Sequence, residues 1–110
     1  MSKQVEVRCW VSKTGKKPVK EWISALDGSV FRKVDKMIGL LRELGRNIAL
    51  PHSRYLGDDM WELKDRSTGP GYRVYYTWQD STLVILLAAG TKSSQERDIQ
   101  TAKRRLFGSI

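Results

Sequence analysis

The period of the apolar residues changes along this chain, and each change marks an element. From Gln4 to Val11, Val5, Val7 and Cys9 alternate with Glu6, Arg8 and Trp10, the two-residue period of a half-buried strand. Ser12 to Lys17 is polar and lysine-rich and reads as a turn. Pro18 suits the first turn of a helix, and Val19, Trp22, Ile23 and Leu26 continue it on one face. Asp27-Gly28-Ser29 interrupts that helix, with Ser29 placed to cap the next one. Val30, Val34, Met37, Ile38, Leu41 and Leu44 then trace an amphipathic helix over 30–44, and Gly45 is a natural stop. These two segments predict a helical hairpin with one apolar face.

The second half reads differently. Asn47 to Asp59 is predicted to be a connector. Two short apolar runs, Trp61 to Lys64 and Tyr72 to Tyr76, flank the turn Ser67-Thr68-Gly69-Pro70-Gly71. A third run, Leu83 to Ala89, is almost wholly apolar and follows a turn at Gln79-Asp80-Ser81. Connections this short join antiparallel neighbours. Ser93 with Glu96 matches a capping box, which starts a final helix near Ser94 with Ile99, Ala102 and Leu106 on its inner stripe. The predicted order is β-α-α-β-β-β-α. That is an α+β fold: a small antiparallel sheet with an N-terminal strand, a helical hairpin, a three-strand meander and a C-terminal helix.

Composition narrows the possibilities. The 110 residues suit one domain over 1–110, and 40% hydrophobic residues with four Trp and four Tyr fit a packed core. The formal net charge of +8 favours a polyanionic or acidic partner. Residues 1–20 carry six Lys/Arg against one Glu, and residues 91–110 carry five against two acidic residues, so the excess sits at the two ends. Cys9 is the single cysteine, which rules out an intrachain disulfide and a cysteine cluster for zinc. It reads as a small core residue. No apolar run approaches the ~18–20 residues of a membrane span, and the first residues lack the apolar core of a signal peptide. The expected setting is the cytoplasm, away from membranes, with no metal and no cofactor.

Particular residues then carry a resemblance. Leu56-Gly57-Asp58, Trp61-Glu62-Leu63-Lys64, Gly69-Pro70-Gly71-Tyr72-Arg73-Val74-Tyr75-Tyr76, Leu86-Leu87, Gly90-Thr91-Lys92-Ser93-Ser94-Gln95 and Arg97-Asp98-Ile99, in that order, resemble the RelE/ParE superfamily of bacterial toxins. The likeness is nearest to its HigB-like, phage Gp49-like branch, the addiction-module killer proteins. It is strong over residues 56–106, and the first half agrees in element order and in Pro18-Val19…Trp22. The resemblance implies a RelE-like fold and a toxin of a type II toxin–antitoxin system, neutralised by a cognate helix-turn-helix antitoxin in a hetero-oligomer. Two activities divide the superfamily. RelE- and HigB-like members cut mRNA on the 70S ribosome, and ParE-like members poison DNA gyrase. This branch is more similar to the mRNA cleavers; the alternatives are a gyrase poison or an inactive, antitoxin-binding relic of a phage.

Cleaving RNA without metal requires a base near the 2′-hydroxyl, cations on the phosphate and an acid for the leaving 5′-oxygen. Arg73 matches the family's strand arginine after Gly-Tyr, and a guanidinium can grip two phosphate oxygens. Its alternative is a solvated strand residue paired with Glu62 or Asp65. If Tyr72, Val74 and Tyr76 face one side of the sheet, Arg73 and Tyr75 face the other. Lys64 matches the family's lysine-rich strand, and Arg66 shares its face. Glu62 stands where some relatives carry a second lysine, a departure that weakens a lysine-driven base. Lys92 lies beside a helix N-terminus, a reasonable phosphate seat. The expected catalytic set is therefore Arg73, Lys64 and Lys92. Arg66, Tyr75, Ser93, Gln95, Arg97 and His52 are the expected RNA contacts, with Asp98 assigned to structure. His52, the single histidine, reaches the site only if the connector folds over it. Trp10, Trp22, Trp61 and Trp78 read as packing residues.

Overall fold

The computed structural model describes residues 5–65 and 69–108. The elements run β1 (Glu6–Cys9), α1 (Pro18–Ser24), α2 (Gly28–Leu44), β2 (Ser53–Gly57), β3 (Met60–Lys64), β4 (Arg73–Asp80), β5 (Leu83–Gly90) and α3 (Gln95–Leu106), with 3-10 turns at Gly45–Asn47 and Lys92–Ser94. The strands form one five-stranded sheet in the order β1-β5-β4-β3-β2. The α+β class holds and every predicted element is present, with one strand more than predicted.

Two features of the sheet differ from the sequence reading. The connector contributes a strand: β2 pairs with β3 from Ser53 opposite Leu63 to Tyr55 opposite Trp61. Only Ser53 on it is buried, so its residues show no apolar alternation. β1 lies parallel to β5, Glu6 opposite Leu83 and Cys9 opposite Leu86, whereas β2 to β5 form an antiparallel meander. The α1–α2 hairpin carries the chain from β1 at one edge of the sheet to β2 at the other, and the meander then returns to place β5 beside β1.

The sheet has apolar residues on both faces. Val34, Met37, Ile38 and Leu41 of α2 and Val19 of α1 pack on Leu63, Val74, Tyr76, Val84 and Leu86. On the other face, Ala102 of α3 packs with Met60, Tyr75, Leu87 and Ala88. Strand alternation explains this division, with Val74 and Tyr76 on one side and Arg73 and Tyr75 on the other, as the sequence predicted. In β5 the ladder slips: Tyr75 pairs with Ala88 but Tyr76 pairs with Leu86. The resulting bulge at Leu87 turns Leu87 and Ala88 towards α3 together, which is why that run reads as continuously apolar.

Local chemistry sets the helix ends. Asp27, not Ser29, caps α2: its Oδ1 accepts from Val30 N at 3.2 Å, and Ser29 Oγ donates to the same oxygen. Gly45 ends α2 at φ 54°, where a side chain is strained. The capping box expected from Ser93 and Glu96 forms instead between Thr91 and Ser94 on the 3-10 turn, and α3 proper begins at Gln95. The four tryptophans pack. Trp61 lies between Tyr55 and Tyr76, Trp22 meets Tyr72, and Arg46 and Arg105 cover Trp78 and Trp10.

Candidate active site

The topology gathers the cations at one end of the sheet. β3 and β5 both run antiparallel to β4, so Lys64 at the end of β3 and Lys92 just past β5 meet the start of β4 at Arg73. β1 is parallel to β5, which brings the exposed Lys13, Lys16 and Lys17 of the following turn to the same end. The turns at the other end carry Asp58, Asp59 and Asp80. The turns at the two ends of the sheet thus differ in charge, and a cationic rim of this kind concentrates anions.

Within that rim Lys64 and Arg73 stand directly opposite each other in the β3–β4 ladder. Lys64 is exposed, and Arg73 is 5% exposed. Arg73 is therefore not the solvated strand residue of the alternative reading, although Glu62 is its partner. Arg73 Nε lies 3.4 Å from Glu62 Oε2, and Nη1 donates to Gly71 O at 3.0 Å. Gly71 has φ 74°, and a Cβ there would come within 2.9 Å of Nη1, so glycine is what allows the guanidinium to fold back on the turn.

Glu62 is the hub of this site. It is 2% exposed. Its Oε1 accepts from Arg54 Nε at 2.9 Å, and its Oε2 accepts from Gln95 Nε2 at 2.7 Å. One buried carboxylate thereby joins β2, β3, β4 and the first turn of α3. Tyr75 completes the wall: it is fully buried, and its hydroxyl has no hydrogen-bond partner among the described residues. Burial and the adjacent Glu62 charge raise its phenol pKa well above the ordinary value, against a smaller opposing effect of Arg73.

Lys92 is exposed, and its backbone N–H donates to Pro70 O at 3.1 Å, which ties the end of β5 to the glycine turn before β4. Ser93 is exposed and shares a 2.9 Å hydrogen bond with Thr91 Oγ1. Arg97 is exposed on α3. Asp98 is buried, accepts from Ser94 Oγ and rests on Gly90, in the structural role assigned to it. His52 O accepts from Lys64 N at 2.9 Å, so the connector does bring the histidine to this end. His52 and Lys64 also line a groove of about 620 Å³ between α2 and the sheet, floored by Met37, Leu40 and Leu63.

Two expected RNA contacts are placed differently. Tyr75 cannot stack on a base, because α3 covers its ring. Gln95 directs its side-chain amide inward to Glu62. Arg66 lies outside the described residues. Arg54 was missed because its strand was read as a connector. Glu62 was legible as a possible partner of Arg73 but not as the point where Arg54 and Gln95 converge. Among the described residues no three His, Cys, Asp or Glu side chains cluster as a metal site.

The family model described as "Phage derived protein Gp49-like (DUF891)" matches residues 21–106, which take in the second half of α1, all of α2, β2 to β5 and α3. A curated Haemophilus influenzae protein, described only as "Uncharacterized protein", is 48% identical over 48 residues, which are 44% of this chain and 48% of that protein. The chain thus matches about half the length of that relative.

Proposed function

The chain belongs to the Gp49-like family of phage-derived proteins, within the RelE/ParE-type toxins, and on that premise we propose that it is a toxin that cleaves mRNA on the ribosome. One observation carries the reading: Arg73 is immobilised by Glu62 and Gly71 and flanked at one sheet end by exposed Lys64 and Lys92. A gyrase poison needs a protein-docking face. It has no need of a fixed arginine between two solvent-facing lysines.

The chemistry follows from those positions. The 2′-hydroxyl of a nucleotide attacks the adjacent phosphorus, the P–O5′ bond breaks, and the products are a 2′,3′-cyclic phosphate and a 5′-hydroxyl. Charge grows on the non-bridging oxygens in the transition state, where a pre-oriented guanidinium contributes most. Arg73 serves those oxygens. Lys64 and Lys92 neutralise charge on the attacking and leaving oxygens, and the proton lost by the 2′-hydroxyl is balanced by the one gained at the 5′-oxygen. The exposed lysines at 13, 16 and 17 extend the cationic surface to neighbouring phosphates of mRNA or ribosomal RNA. A cognate helix-turn-helix antitoxin is the protein partner in this account.

Induced expression of the chain in bacteria, with mRNA 5′ ends mapped, tests the reading. Growth arrest with new 5′-hydroxyl ends inside translated codons supports it. Arrest with intact messages and broken DNA would place the chain with the gyrase poisons. Absence of arrest would leave an antitoxin-binding protein.

A further inference from the structure

We propose that Glu62 is a positioning residue for Arg73, a role that rests on the nuclease reading. Glu62 occupies the middle of β3, buried, with both carboxylate oxygens engaged: Oε1 by Arg54, and Oε2 by Gln95 and, at 3.4 Å, Arg73. A general base must come within about 2.6–3.2 Å of the proton it removes. A carboxylate whose two oxygens already accept from Arg54 and Gln95 and face Arg73 is committed to these partners rather than free to take a substrate proton. Its effect is exerted through Arg73.

Charge and geometry both support that role. Arg54, Glu62 and Arg73 together leave one net positive charge, so the ion pair orients Arg73 without cancelling the site's attraction for an anion. Glu62 attracts the Nε edge across 3.4 Å as an ion pair, without a hydrogen bond from Nε, and Gly71 O accepts from Nη1; together they favour one orientation of the guanidinium. Small misplacements of a catalytic group cost large rate factors, and a supporting shell of this kind prevents them. The Gln95 bond adds a second constraint by fixing the first turn of α3 on the sheet, and that turn follows directly on Lys92.

The test uses the full chain with Glu62→Gln, which keeps the shape and removes the charge, in a ribosome-dependent cleavage assay on a defined mRNA. Single-turnover rates should fall by roughly tenfold or more, while the concentration giving half-maximal rate changes by less than about threefold. Because Glu62→Gln removes a buried charge that Arg54 also pairs with, chemical rescue provides a second arm. Guanidinium ion should restore cleavage to Arg73→Ala, and should fail to do so in Arg73→Ala/Glu62→Gln. Cleavage by Glu62→Gln within about twofold of the unmutated chain, or equal rescue of both variants, overturns the proposal. If the unmutated chain does not cut mRNA, the nuclease reading fails by itself, and NMR of the arginine Nε–H groups decides the role of Glu62. An Arg73 signal protected from exchange and shifted by a 2′-deoxy dinucleotide only when Glu62 is present supports the positioning role. Identical behaviour in Glu62→Gln overturns it.

Discussion

Lys64 and Arg73 face each other across the β3–β4 ladder, yet one side chain reaches solvent and the other is enclosed with Glu62. Alternation puts both on the α3 face of the sheet. Both stand at strand ends, and the difference is that Arg73 is folded back by its contacts with Gly71 and Glu62.

That contrast predicts two distinct mutant phenotypes. Lys64→Ala should change stability by less than about 0.5 kcal/mol, as surface substitutions do, and still abolish growth arrest. Arg73→Ala should remove toxicity and also destabilise the fold by about 1–3 kcal/mol, because Gly71 O loses its donor while Glu62 keeps Arg54 and Gln95. Thermal melts alongside induced-growth curves separate the two effects.

A second prediction concerns the larger core. Ser53 Oγ and Tyr76 Oη share a buried hydrogen bond of 2.6 Å that fastens β2 to the centre of the sheet. Tyr76→Phe should cost about 1–3 kcal/mol by leaving the serine hydroxyl buried without a partner. Ser53→Ala/Tyr76→Phe should cost less than the sum of the single changes, because no orphaned group remains. Urea denaturation of the four chains measures the coupling.

Gly90 yields a third. A Cβ there would overlap Asp98 Oδ2 and Ser94 Oγ, which lie against the end of β5. Gly90→Ala should destabilise by about 1–3 kcal/mol, the range for overpacking, and displace the first turn of α3. Gly90→Ala/Asp98→Ala should recover part of that loss. The melting temperatures of the two variants report it.

The buried phenols give a pH prediction. Burial raises the pKa of both Tyr75 and Tyr76. A group whose folded pKa is raised contributes stability that is complete below its unfolded pKa, about 10 for tyrosine, and is lost as pH climbs towards the folded value. Stability should therefore hold up to about pH 10 and then fall, with part of the tyrosinate absorbance change appearing only on unfolding. Phenylalanine at position 75 should flatten that alkaline decline.

Much of this was legible in the chain itself. The helical hairpin followed from Val34, Met37, Ile38 and Leu41 on one stripe, and the meander from short apolar runs separated by glycine turns. The two-sided character of β4 followed from period two alone. β2 escaped notice because only Ser53 of its five residues is buried, so no pattern marks it. Losing β2 meant losing Arg54. Residue spacing on one strand cannot reveal that Glu62 collects donors from β2, β4 and α3, since the partners are brought together only by the sheet order. The capping shift from Ser93 to Thr91 and Ser94 has a local cause: the chain leaves β5 through a 3-10 turn before α3 begins.

The most direct test of the central claim is cleavage in a purified system. The chain, 70S ribosomes and a programmed mRNA should yield fragments with 2′,3′-cyclic phosphate and 5′-hydroxyl ends, and Lys64→Ala, which retains the fold, should yield none. Intact mRNA with a folded, unmutated chain, or equal cutting by Lys64→Ala, would contradict the account.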